Sequence, residues 1–357
     1  MKRNVYFYYL LVMAALLVGC EKETAPEKPS LPDIEEGTVP VVFHVLYEDR
    51  TDAKQYPDPA LFAQRVDQLN RFYAATLFPN AGSAAVSVKF VLATHDPTGQ
   101  ALADPGVHPF RYTGAANMSV DRFLDVDRVL AVRDREVLWD PNQYVNIWLF
   151  GFLDSSDPNQ DESDITGVSY LPYCTSSAPL TMLATWDGAI TAAPYYMHGI
   201  ALNNRYFPND EGMFTLCHEM GHYLGLKHAF SESTSGQAAC SNPDDDASDD
   251  GCSDTPKYDR AAYQQAFYKN LYNGTPMPYE GTAYERQACN GRIFTSTNVM
   301  DYFQSHRTNL TPQQKARIEH VLAYSPWIPR GKTATKALLE NFAGEITDER
   351  PRPILMY

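Results

Sequence analysis

Residues 218–228 read HEMGHYLGLKH, a run that holds three of the chain's nine histidines. His218 and His222 stand at i and i+4. On a helix that spacing stacks both imidazoles on one face, one turn apart. Two neutral imidazoles so placed can share a zinc ion, with Zn–N bonds of about 2.0–2.1 Å. Glu219 follows the first of them, placed to take a proton from a water on the metal without ligating it. A surface helix can carry H-E-x-x-H by chance, so these five residues alone decide little.

The next six residues decide more. A straight helix would carry residue 228 past the metal. Gly225 can adopt positive φ at no Cβ cost, so it can end the helix and turn the chain back. His228 then arrives as a third ligand from outside the helix. Requiring Gly and His at fixed offsets cuts chance matches roughly a thousandfold. Three histidines leave a fourth coordination position open, the pattern of a catalytic zinc rather than a structural one.

The string resembles the metzincin signature H-E-x-x-H-x-x-G-x-x-H. Metzincins also carry a Met-turn beneath the metal, and NVMDYF at 298–303 looks like that turn, with Met300 as its methionine. Within the metzincins the chain resembles the pappalysin family. The matching pieces, in order, are PVVFHVLYE (40–48), VNIWLFGF (145–152), ITGVSYLP (165–172), the zinc helix, SDTP (253–256), NVMDY (298–302) and LTPQQKARIEHVL (310–322). They span about residues 39–327.

The resemblance implies an α/β metzincin-like domain. A twisted mixed sheet with a backing helix and an active-site helix would lie above the cleft. A loop-rich lower subdomain with the Met-turn and a C-terminal helix would lie below it. The division would fall near residue 228, giving an upper part to about 228 and a lower part at 229–327. The implied activity is zinc-dependent hydrolysis of peptide bonds in a protein or peptide substrate, with Glu219 as general base. Tyr302 matches a tyrosine that donates to the oxyanion in several metzincins; by composition alone it could equally be a packed core residue. Family members that prefer Arg or Lys place an acidic residue after this tyrosine. Here FQSHRTN (303–309) has His306 and Arg307 and no carboxylate, so that preference does not carry over. Two other classes stay open: a catalytically silent, surface-tethered binding lipoprotein on the same scaffold, and a zinc amidase acting on cell wall. Intact Glu219 argues against the first, and the metzincin context against the second.

The N-terminus reads as an export signal. Lys2 and Arg3 precede the apolar run YFYYLLVMAALLVG (6–19), too short and wrongly flanked for a typical membrane span. Leu17-Val18-Gly19-Cys20 resembles a bacterial lipobox, which implies cleavage after residue 19 and acylation of Cys20. Residues 20–38 hold charges, three prolines and few apolar side chains, and read as a flexible tether. The expected location is the cell envelope, as a lipoprotein of a Gram-negative outer membrane facing the periplasm or the outside. The membrane contact would be the N-terminal lipid, and the domain is expected to be a monomer. Loss of Lys2 and Arg3 takes the formal charge from −15 to −17, which excludes a general basic surface for nucleic acid.

Six cysteines are present. With Cys20 lipidated, five remain and at least one is unpaired within the chain. Cys217 shares a helical face with Met213, Met220 and Leu224 and reads as a buried small hydrophobe. The resemblance implies a bridge between Cys240 and Cys289, with Cys252 a rival for either partner. With Cys20 the only cysteine before the domain, no cysteine-based latency is expected. The stretch CSNPDDDASDDGCSDTP (240–256) contains six aspartates. It is either a solvated acidic loop or a calcium site. The resemblance favours calcium near the D-T-P element, with Asp254 and Thr255 as ligands.

The remaining pattern gives strands near 40–47, 86–93, 145–152, 165–170 and 198–203, and a helix near 59–75. The strands at 40–47 and 145–152 are dense in β-branched and aromatic residues, which predicts burial on both faces. The zinc helix should start near Asp210 as its cap, and a last helix at Thr311-Pro312. Between them the chain reads as loop, and residues 328–357 as a tail without periodicity.

Overall fold

Thr38–Tyr47 form β1, in which only Tyr47 is not fully buried. In the computed structural model, which describes residues 38–124, 134–187, 198–230, 240, 250–274, 283–302, 304–329 and 355–356, this strand pairs with three others of a seven-stranded sheet. Residues 1–37, on which the expected signal segment, Cys20 and most of the expected tether fall, lie outside the described residues. So do Asp244, Asp245, Asp246 and Asp249 of the acidic loop and most of the tail.

β1 pairs in parallel with β2 (Lys89–Leu92) and β3 (Val107–Arg111) along one edge and with β4 (Val145–Phe150) along the other. Beyond β4 lies parallel β6 (Ile200–Asn203), and antiparallel to β6 lies β5 (Gly167–Tyr170). Two residues of the tail, Leu355–Met356 (β9), pair antiparallel with Ser169 and Tyr170 of β5. The sheet is therefore mixed and mostly parallel. Its two faces are covered by separate apolar clusters. Val41, Phe43, Val45, Ile147 and Leu149 face one, with Phe62, Leu69, Leu216 and Met220. Leu46, Trp148 and Phe150 face the other, with Phe123 and Trp327. Two covered faces explain why β1 and β4 read as nearly continuous apolar runs. The one basic pair inside the sheet is satisfied internally: His44 Nε2 lies 2.9 Å from Asn146 Oδ1, and its Nδ1 lies 2.9 Å from His108 Nδ1.

The backing helix α1 (Pro59–Tyr73) starts on the Asp58 carboxylate, which accepts from Ala60 N, with Pro59 in its first turn. It buries Phe62, Val66, Leu69 and Phe72 against the sheet. A short helix, α2 (Val120–Leu124), packs Phe123 on Phe150, ring centroids 4.9 Å apart. The zinc-signature helix is α3 (Asp210–Tyr223). After His228 come α4 (Arg260–Asn273), a hairpin of β7 (Glu285–Gln287) and β8 (Ile293–Thr295), and α5 (Pro312–Tyr324).

The structure corrects three expectations. The cap of α3 is Asn209, whose side chain accepts from Glu211 N; Asp210 is the first helical residue. β3 exists although, after buried Val107, it alternates half-buried and exposed residues and contains Pro109. It is an edge strand, where a missing N–H costs least. The loop-rich stretch after His228 contains α4, fourteen residues long, with no buried side chain. A helix that buries nothing leaves no apolar stripe to read. Only its punctuation marks it: Asp259 as cap and Gly274 at φ +63° after the last turn.

Candidate metal centre

Helix α3 is buried almost all round, from Gly212 to Tyr223 with only Phe214 half-exposed. That is why it carries glycines and polar ligands rather than an amphipathic stripe. Arg65 of α1 fixes its start: the guanidinium donates to Phe207 O at 2.8 and 3.1 Å and to Asn209 O at 2.7 Å. Tyr73 Oη donates to Cys217 O at 3.1 Å. Cys217 is buried as expected, and burial pushes its thiol well up.

The C-terminal end of α3 answers why a glycine separates the second and third histidines. Leu224 caps the helix and Gly225 follows at φ +91°. Gly225 N donates to His222 O at 2.8 Å and Leu226 N to Gly221 O at 2.9 Å, the paired bonds of a Schellman stop. A Cβ at Gly225 would also lie 2.6 Å from Val321 Cγ2 of α5. Past this stop the chain doubles back and delivers His228.

The ligand atoms of His218, His222 and His228 then lie within 4.8 Å of one another, and all three residues are buried. His222 Nε2 is 3.0 Å from His218 Nε2 and 3.1 Å from His228 Nε2. Three basic nitrogens facing one point at this spacing suit a small cation: tetrahedral Zn–N bonds of about 2.0–2.1 Å put ligand atoms about 3.3 Å apart. Their backs are held as well. His218 Nδ1 lies 2.7 Å from Val299 O, and His222 Nδ1 2.8 Å from Leu226 O. A carbonyl only accepts, so each Nδ1 carries the proton and each Nε2 offers its lone pair inward. Burial, with His228 and His218 alongside, holds the His222 imidazole well below its ordinary range and so in its ligating neutral form.

Val299 and Met300 belong to a tight turn at Asn298–Asp301, stabilised by Asp301 N to Asn298 O at 3.2 Å. The turn supports the site in three ways. Val299 O orients His218. Met300 O accepts from Ala229 N at 3.0 Å, tying the segment after His228. The Met300 thioether lies in the space a Cβ at Gly221 would need, so Gly221 between the two helical ligands lets the methionine sit under the helix. Asp301 anchors the turn through Tyr258 Oη at 2.6 Å, the Ser296 hydroxyl, and buried Arg286 at 3.7 Å. The Cys240–Cys289 disulfide is present, while Cys252 and Cys174 are free and buried.

Two side chains complete the site. Glu219 is buried, its Oε2 has no protein partner, and desolvation raises its pKa well above the carboxylate range. Such a group fits a metal site: a nearby cation and a water would offset that penalty. Gly167 of β5 makes room for it, since a Cβ there would lie 2.7 Å from Glu219 Cγ. The Tyr302 ring packs on the ligands, 4.4 Å from the His228 ring and 5.6 Å from that of His218.

The expected calcium ligands do not converge in the same way. Asp254 is exposed and its Oδ2 accepts from Gln313 N at 2.9 Å; the Thr255 hydroxyl donates to Asp250 and to Cys252 O. Among the described residues, the histidine triad is the one grouping of His, Cys, Asp or Glu suited to hold a metal. Nothing in the local pattern singles out Tyr258, Arg286 or Arg260. Packing brings Arg260 over the Tyr302 ring and Tyr258 and Arg286 onto Asp301, the residue before it.

The family model described as pregnancy-associated plasma protein-A matches residues 132–323. Human pappalysin-1 is 30% identical over 187 residues, covering 48% of this chain and 10% of the human protein. Mouse pappalysin-1 is 29% identical over 201 residues, covering 53% of this chain and 10% of that protein. The chain thus matches about a tenth of the length of these relatives. A solved structure of a Tannerella forsythia promirolysin mutant superposes with a TM-score of 0.52 at 17% identity, covering 88% of this chain and 87% of that one, a likeness of fold.

Proposed function

Because the chain belongs to the pregnancy-associated plasma protein-A (pappalysin) family of metzincin metallopeptidases, we propose that it is a zinc endopeptidase with Glu219 as general base. The observation that carries this is the Glu219 carboxylate. It follows the first of three converging histidines in the chain and is buried, with Oε2 free of any protein partner. Zinc held by His218, His222 and His228 would supply a Lewis acid that acidifies a water and polarises the scissile carbonyl. Glu219 takes the water's proton at Oε2 and passes it to the departing amine. The Tyr302 hydroxyl donates to the carbonyl oxygen as negative charge builds there. The buried walls exclude bulk water, which strengthens each of these contacts.

The test is Glu219→Gln, which keeps shape and removes the base. Zinc content should be retained and hydrolysis of an unstructured protein such as casein lost. A zinc-loaded variant that still cleaves would end the general-base assignment. Peptidoglycan serves as the second substrate in the same assay: its hydrolysis in place of casein would favour a cell-wall amidase.

The reading extends to location. Acylation at Cys20 would hold the enzyme at a membrane surface, because several acyl chains anchor stably where one does not. The tether would carry the domain clear of the headgroups. Cys20→Ala should move the protein from the membrane fraction to the soluble one, and equal partitioning of both forms would refute it.

A further inference from the structure

Arg260 opens α4, and its guanidinium carbon lies 4.1 Å from the Tyr302 ring centroid and 4.9 Å from that of Phe230. Both rings pack in turn on the ligand His228, at 4.4 Å and 4.7 Å. The cation is half-buried and sits one ring beyond a metal ligand. No carboxylate among the described residues pairs with it. The nearby acids are committed elsewhere: Glu211 to Arg307, Asp301 to Tyr258, Ser296 and Arg286, and Asp259 to the cap of α4.

The basic side chains of the loop after the Met-turn are engaged too. Arg307 makes a two-pronged pair with Glu211 at 2.5 and 2.7 Å, and His306 stacks on Tyr284 with centroids 4.5 Å apart. A cation packed on the rings of the site thus comes from a residue 42 positions upstream of Tyr302, on a helix the sequence pattern did not reveal. Ring faces hold a guanidinium in place but offer no lone pair to its five N–H donors. Among the described residues those donors meet no planar anionic acceptor, and a carboxylate matches their fork.

We propose that Arg260 determines specificity: it takes the side-chain carboxylate of a substrate Asp or Glu adjoining the scissile bond. This rests on the peptidase reading above. An extended peptide advances about 3.3–3.6 Å per residue, so a carboxylate on a residue flanking the bond at the metal can reach a cation one ring away. A glutamine of the same shape offers one uncharged amide oxygen in place of two anionic ones, so it loses the ion pair and the two-pronged match.

The experiment uses the zinc-loaded enzyme and a set of blocked peptides that differ only in Glu, Gln or Lys at each position flanking the bond. A further all-Gln peptide carries a free C-terminal carboxylate. Glu should exceed Gln in kcat/KM by about tenfold at low salt, and the ratio should shrink as salt screens the half-exposed pair. Arg260→Lys should keep a weaker preference for Glu, and Arg260→Glu should invert it in favour of Lys. Inversion is a change that loss of packing alone would not produce. Equal cleavage of Glu and Gln peptides by wild type, or a Glu preference that survives Arg260→Glu, overturns the proposal. An advantage confined to the free C-terminus assigns the ligand to the main chain and overturns it as well. Cleavage of none of the peptides overturns the peptidase reading itself, and this proposal with it.

Discussion

Gly167→Ala adds one methyl group between the sheet and the zinc helix. The new Cβ would lie 2.7 Å from Glu219 Cγ, 2.7 Å from Thr215 Cγ2 and 3.0 Å from Glu219 Oε1. Comfortable carbon contacts are about 3.5–4.0 Å, so the strand or the glutamate must move by the better part of an ångström. The strand is fixed by its pairing, Gly167 with Leu202 and Val168 with Ala201, and all of β5 is buried. Glu219 is the softer partner, because its side chain has torsions to turn and its Oε2 has no bond to break. Overpacking of this kind typically costs about 1–3 kcal/mol, and for a domain of this size that is a fall of about 2–4 °C in Tm per kcal/mol. A domain with a stability of about 5–15 kcal/mol would stay folded. The catalytic effect should be larger, because an ångström of misplacement costs about a hundredfold in rate. Zinc content should not change, since the inserted methyl meets no ligand imidazole among its three nearest atoms. The assay is three measurements on one preparation: zinc by atomic emission, Tm by calorimetry, and kcat on a peptide that wild type cleaves. A folded, zinc-loaded variant whose kcat stays within threefold of wild type would refute the reasoning. Glu219 would then not need the position that Gly167 allows it.

Tyr302→Phe should lower kcat by about 10²–10³, the scale of losing one oxyanion donor, while leaving Tm nearly unchanged because the ring stays on His228; an unaltered kcat would return Tyr302 to a packing role. Stability should fall in mild acid. His44 and His198 are buried, and their pKa values are lowered to about 3, chiefly by burial, from an ordinary 6.5. The unfolded chain binds protons on them below pH 6.5 and the folded chain does not until near pH 3. Their contribution is therefore complete above pH 6.5 and is lost as pH falls, about 2 kcal/mol each by pH 5. His198→Phe keeps the ring between Tyr223 and Trp327. It should flatten the decline in urea midpoint between pH 7 and 5, and an identical decline would exclude His198 as a source. Millimolar calcium at constant ionic strength should raise Tm if the six-aspartate loop takes up the ion, since a ligand of the native state stabilises it by mass action; superimposed melting curves would leave the loop as solvated charge.

The convergence of His218, His222 and His228 and the turn between the last two were legible because each rests on local rules. His218 and His222 are one helical turn apart whatever surrounds them. Gly225 announces a stop because only glycine takes φ +91° without strain. The buried strands announced themselves by composition, since a strand covered on both faces has no polar register to keep. Sequence could also place Met300 as the Met-turn residue by resemblance. It could not explain why Gly221 lies between the helical histidines, which depends on a sulfur 79 residues away. Helix α4 was invisible because it buries no side chain, and burial is what writes periodicity into a sequence. For the same reason Arg260 had no signal: its meaning comes from standing over Tyr302, and Tyr302's from standing over His228. The pairing of Arg307 with Glu211 likewise cancelled a charge that the bare loop sequence left open. Local chemistry is set by residues a turn apart. Which side chains stand over the site, and which charges pair there, is set by which distant elements fold against one another, and only the tertiary structure decides that.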